Sequence, residues 1–143
     1  MILPDVNVLL DAHRADAPGH ERYREWLRST LDGDEPVALA DVVLSGVIRV
    51  ATDRRVFVPP STLDEAFAFV SDLYSNPNAV VVRPGTEVLE TFQRLCREGG
   101  VRGADVSDAY LAAVAIDGGC VLVTADRGFA RFPGLRWRHP LDA

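Results

Sequence analysis

The sequence has no lysine, one methionine, two cysteines and few aromatic residues, 8% of its 143 positions. Each shortage excludes something. Cys96 and Cys120 have no paired spacing, so neither a disulfide scaffold nor a zinc motif is expected, and both are assigned to the core or its margin. No apolar run approaches the ~20 residues that cross a bilayer, and no basic stretch precedes an apolar one at the N-terminus. The chain is therefore expected to be cytoplasmic and off the membrane. A net charge of −6 excludes holding nucleic acid by general phosphate attraction. It does not exclude a nucleic-acid enzyme, because acidic residues gathered in one cleft bind divalent cations that invert the local potential. All 15 basic residues are arginine, which suits bidentate phosphate recognition but also follows from genome composition.

What is present describes an ordinary folded protein. Apolar residues make up 48% and charged ones 25%, and 15.6 kDa suits a single domain, residues 1–143, able to bury a core without staples. Strand-like runs alternate with helical patterns and there is no repeat or long linker, which predicts an α/β fold with a mostly parallel sheet. Residues 2–5 read as the first strand, with a helix from Asn7 or Val8. A second helix is predicted over His20–Leu31, with Tyr23, Trp26, Leu27 and Thr30 on one face, and a strand over Val37–Leu39. Asp41 is expected to cap a helix running to about Thr52, with Val43, Val47 and Val50 inward. Ser61 or Thr62 opens the next helix, where Glu65 completes a capping box. Ala79–Arg83 reads as a strand and Thr86 as the cap of a helix ending at Gly99-Gly100.

Three segments carry chemistry. The N-terminal strand Ile2-Leu3-Pro4 delivers Asp5 and Asn7, and the strand after Cys120 delivers Thr124 and Asp126 into a loop containing Gly128. A third, Asp105-Val106-Ser107-Asp108, opens a helix that is apolar nearly all round through Ile116. Such a helix is buried, so its first turn belongs at the sheet edge where open α/β folds bind ligands. Taken alone, Asp105 and Asp108 also read as a cap and a first-turn acid. Three converging aspartates, Asp5, Asp108 and Asp126, repel one another without a counter-ion, and all-oxygen ligation selects magnesium or manganese. Asn7 and Thr124 are placed to hydrogen-bond those carboxylates.

These blocks, Asp5-Val6-Asn7-Val8-Leu9-Leu10, Asp108-Ala109-Tyr110-Leu111-Ala112-Ala113 and Val123-Thr124-Ala125-Asp126-Arg127-Gly128-Phe129, in this order and over nearly the whole length, resemble the PIN-domain ribonucleases of the VapC toxin type. The resemblance implies a three-layer α/β/α sandwich and a magnesium- or manganese-dependent endoribonuclease acting on structured RNA. It further implies a homodimer silenced by a VapB-type antitoxin. Three of the family's acidic ligands fall on Asp5, Asp108 and Asp126. The remaining one, a glutamate, falls on Gly46. Asp41 cannot simply replace it, since five helical positions turn through about 140° and rise about 7.5 Å. Ser45 bridged by water and Asp105 as an outer acid are the other candidates. Arg49, Arg102 and Arg127 are candidate contacts to phosphate or to a partner's carboxylate; His13, His20 and His139 need no role, and Trp26 and Trp137 fit core or interface.

Two functional readings follow. One is the metal-dependent endoribonuclease; the other is a PIN-fold module weakened by loss of the glutamate and acting mainly by binding an antitoxin-like helix. Asp5-x-Asn7 as a phosphatase nucleophile is discounted, because that motif wants a second acid where Asn7 stands.

Overall fold

A computed structural model describes residues 1–142. In chain order the strands are β1 (Ile2–Pro4), β2 (Val37–Ala40), β3 (Ala79–Val82), β4 (Val121–Val123) and β5 (Trp137–Arg138). The helices are α1 (Val6–His13), α2 (His20–Leu31), α3 (Asp41–Ala51), α4 (Leu63–Ser75), α5 (Val88–Gly99) and α6 (Val106–Asp117), with 3₁₀ turns at Gly103–Asp105 and Arg127–Arg131.

The strands form one sheet in the order β3-β2-β1-β4-β5, parallel throughout. Parallel neighbours need crossovers, and crossovers of this kind are right-handed. From β1 through β2 to β3 the chain moves one way, placing α1 to α4 on one face. The step from β3 back to β4 reverses direction and puts α5 and α6 on the other. The result is a three-layer α/β/α sandwich, and the reversal makes the carboxyl ends of β1 and β4 the crevice where such sheets bind ligands. The register pairs Pro4 with Val123, so Asp5 and Thr124 emerge side by side.

The core follows from this layering. Ile2, Leu3, Val37, Leu122 and Val123 are fully buried in the central strands, and α6 buries Ala109 and Leu111 to Ala115, as an all-round apolar helix must. Tyr23 and Leu27 are the buried residues of α2, with Trp26 packed against the core from its margin. Phe129 and Phe132 anchor the C-terminal turn.

Several local expectations change. The first helix starts at Val6, because Asp5 itself is its N-cap. Asp41 is not a cap: it is the first residue of α3, and its carboxylate takes a hydrogen bond from the Tyr74 hydroxyl at 3.2 Å and faces Arg83 at 3.7 Å. Thr86 does not cap α5, whose N-cap is Glu87, and Asp105 makes no side-chain cap bond to α6 because a 3₁₀ turn already leads into that helix. The Thr62–Glu65 capping box is present. β5, only two residues long, has no readable signal in the sequence; β4 supplies its backbone partners.

The segment between α3 and α4 is strapped to α1. Arg14 donates to the Pro59 carbonyl at 2.9 Å and to Ser61 Oγ at 3.1 Å, and its guanidinium lies 4.3 Å from the Phe57 ring centre. His13, assigned no role from sequence, shares a 3.0 Å hydrogen bond between Nε2 and Ser61 Oγ and stacks obliquely on Phe69. Burial, followed by the Arg14 charge, holds its pKa below the usual 6.5. The unfolded chain thus takes up a proton at a higher pH than the folded one, so folding stability falls as pH drops through and below that value. Urea unfolding at about pH 7.5 and about pH 5.5 is expected to show a smaller acid loss in His13→Gln than in the parent.

Candidate functional site

Asp5 is the anchor of the crevice. It leaves β1 with its N–H donated to the Val123 carbonyl at 2.9 Å, which fixes the turn into α1. Only 7% exposed, its carboxylate needs internal partners. Oδ1 accepts from the Val6 N–H at 2.7 Å, and Oδ2 accepts from the Thr124 hydroxyl at 2.7 Å and from Asn7 Nδ2 at 3.1 Å. Thr124, wholly buried, also accepts from the Asp126 N–H at 3.1 Å and from Asn7 Nδ2 at 3.3 Å. Asn7 Oδ1 accepts from the Ala125 N–H at 3.2 Å. Asn7 and Thr124 thus both hydrogen-bond the Asp5 carboxylate. Even so, burial raises the Asp5 pKa; the three hydrogen bonds pull it down and the Asp126 charge pushes it up.

Asp108, in the first turn of α6, stands across the crevice. Its carboxyl is also raised, chiefly by burial, and further by the charges of Asp126, Asp5 and Asp105, while Arg131 acts in the opposite sense. Asp126 caps the Arg127–Arg131 turn by accepting from the Gly128 N–H at 2.8 Å and is exposed. All three aspartates line one cleft of about 490 Å³ with Asn7, Ser45, Gly46, Arg49 and Ser107. Among the described residues, no three His, Cys, Asp or Glu side chains stand close enough to enclose an ion as they lie. Asp108 leans to Arg131 and Asp126 to Gly128. The donor chemistry nonetheless fits a hard cation: the Asp126 charge helps raise the pKa of both Asp5 and Asp108 across the shared cleft, positive charge would relieve this, and every donor is oxygen.

The structure separates the other candidates. Ser45 and Arg49 line the cleft from α3. Asp105 is exposed, lies 3.9 Å from Arg131 and makes no hydrogen bond to the aspartates. Arg127 points away, with Nη2 donating to both carboxylate oxygens of Asp142 at 3.2 Å, and Arg102 is exposed outside the cleft wall. The cation that does reach an aspartate is Arg131, which sequence reasoning missed: Nη2 is 3.2 Å from Asp108 Oδ2. The available signal was its position between Phe129 and Phe132, whose burial fixes where Arg131 points.

Gly46 has a packing explanation. A Cβ built there would sit 2.8 Å from Val6 Cγ2, so a side chain at 46 requires the Val6 side chain to shift. Neither Asp41, engaged with Tyr74 and Arg83, nor Asp105 stands in for an acid at that position.

Comparison with known proteins gives one consistent result. The PIN domain profile matches residues 2–135. The chain is 46% identical over 142 residues to Ribonuclease VapC43 of Mycobacterium tuberculosis, covering 99% of this chain and 97% of that one. In fold it is similar to M. tuberculosis VapC20, described as a sarcin–ricin loop cleaving toxin, with a TM-score of 0.70 at 16% identity over 95% of this chain and 99% of that one. It is similar too to VapBC2 of Rickettsia felis bound to a promoter DNA fragment, with a TM-score of 0.69 at 17% identity over 97% of this chain and 98% of that one.

The Val6–Gly46 contact is open to a double-mutant cycle. Gly46→Ala gains about 1 kcal/mol of helix propensity and loses about 1–3 kcal/mol to overpacking. Val6→Ala removes the clash, so the double variant is expected to exceed the sum of the singles by about 1 kcal/mol or more in urea unfolding; strict additivity would exclude the steric account.

Proposed function

The chain belongs to the PIN domain family, and on that premise we propose that residues 1–143 work as one PIN-like domain with the activity of a VapC toxin. It is an endoribonuclease that hydrolyses RNA phosphodiester bonds. A VapB-type antitoxin silences it, in the cytoplasm where RNA and antitoxin are found. The observation that carries the reading is the desolvated Asp5 facing Asp108 and Asp126 across one cleft at the sheet's reversal point. A module that only bound a partner would be more stable with an uncharged residue at Asp5, and this disfavours the weakened-module alternative.

The proposed cofactor is magnesium or manganese, held by Asp5, Asp108 and Asp126. When bound, such an ion supplies charge stabilisation to the phosphoryl oxygens and activates water. The protein's own share is orientation. Thr124 and Asn7 hold Asp5 Oδ2 and the Val6 N–H holds Oδ1, so all three bonds restrain the carboxylate's rotation. Ser45 and Ser107 supply neutral hydroxyls on opposite walls of the cleft, α3 and α6. Among the described residues no helix is long and apolar enough to cross a membrane. Val42, Leu63, Phe67 and Tyr74 remain exposed on α3 and α4, an apolar surface suited to protein partners, here the antitoxin and a second copy in a homodimer.

Antitoxin-free protein is expected to cut at least one member of a structured RNA panel, including tRNA and a sarcin–ricin loop hairpin, with magnesium or manganese, and to stop in EDTA. Asp5→Ala or Asp108→Ala should cost more than about 100-fold in kcat/KM, and Thr124→Val roughly 10–100-fold. Folded protein that cuts none of these RNAs with either ion would sink the assignment. Binding has a separate readout: manganese should raise the Tm of the parent in a concentration-dependent way and leave that of Asp5→Ala unmoved.

A further inference from the structure

Arg131 is held in place by two contacts. Its Nη2 pairs with Asp108 Oδ2 at 3.2 Å, with Asp105 Oδ1 further off at 3.9 Å, and its guanidinium lies 4.8 Å from the ring centre of buried Phe132. Among the described residues, Nε and Nη1 of Arg131 make no hydrogen bond, and the side chain is 34% exposed. Gly128 explains how the guanidinium lies so near the acidic loop. A Cβ there would be 2.9 Å from Asp126 Oδ1 and 3.4 Å from Arg131 Nη1, so both groups lie against the same bare backbone. The cation is thus at the cleft rim, between Asp108 and Asp126, with a planar set of donors still unspent.

Resting on the ribonuclease reading, we propose that Arg131 is the phosphate-binding residue of this cleft, gripping a backbone phosphate of the RNA with its free edge while Asp108 holds the other. A guanidinium already oriented by a carboxylate and an aromatic face loses little side-chain freedom on meeting an anion. Its charge also offsets a cleft that would otherwise repel a polyanion. Arg127, spent on Asp142, has no such free geometry. Arg49, on the α3 wall, is the second cation within reach of the same strand of RNA.

The test uses the RNA that the parent cuts best. In an Asp5→Asn background, where cleavage is lost, Arg131→Gln should weaken RNA binding about 10-fold and lower the salt slope of log K by about one phosphate contact. Arg94→Gln, removing an equal charge on α5, serves as the control. If Arg131 only steadies Asp108, Arg131→Gln will bind this RNA like the control, which overturns the inference and leaves the enzyme assignment standing. A parent that neither binds nor cuts RNA overturns both. Should Arg131→Gln fail to fold, Arg131→Lys, which keeps the charge beside Asp108 but not the planar fork, is expected to raise KM several-fold in the otherwise native chain; an unchanged KM overturns the proposal.

Discussion

A carboxylate buried at the end of the first strand needs hydrogen-bond partners, and one of the two shortest it has comes from a hydroxyl just past the neighbouring strand. The 2.7 Å bond from Thr124 to Asp5 joins β1 to β4 across the line where the sheet reverses its strand order. Remove the hydroxyl and the Asp5 carboxyl has one partner fewer, in a position 7% exposed, and its pKa loses a cause that pulls it down. The Thr124 oxygen also receives the Asp126 N–H, so the same atom sets where the second acidic loop begins. Parallel strands in register place these groups side by side without any special turn.

Around that bond the cleft carries more negative charge than it neutralises. Asp5 and Asp108 both have raised pKa values, burial being the larger cause and neighbouring carboxylates adding to it. Part of the imbalance is met by Arg131, and the rest is the electrostatic argument for the proposed divalent ion. The missing glutamate is bounded on the same physical terms. Gly46 lies where α3 touches Val6, and a hypothetical Cβ 2.8 Å from Val6 Cγ2 means that glycine suits the Val6 side chain as it lies. The cleft brings together three aspartates from three separate elements, and in the proposed site each would carry more weight than it would among four.

Much of this was legible in the sequence, for local reasons. Apolar runs ending in Asp5 and in Thr124-Ala125-Asp126 could be recognised as strand ends, and an alanine-rich helix without a polar face had to be buried, drawing Asp108 inward with it. Caps were less reliable. Asp41 and Asp105 are good capping residues by type, yet a strand running straight into α3 and a 3₁₀ turn running into α6 leave neither in the capping geometry. Among the arginines, Arg127 stands next to Asp126 in sequence but pairs with Asp142, whereas Arg131, 23 residues from Asp108, reaches Asp108.

The sequence by itself determined which residues can be buried, where strands and helices alternate, and that aspartates stand at strand and helix ends; those properties depend on side-chain polarity and on neighbours a few positions away. Only the tertiary structure decided which charges meet. Ion pairing depends on through-space distance, and the strand order, the Val6–Gly46 contact and the two buried phenylalanines flanking Arg131 fix those distances between residues far apart in the chain. The acidic cleft could be anticipated residue by residue, but the arginine that balances it could be identified only once β4 and its following turn had been laid against α6.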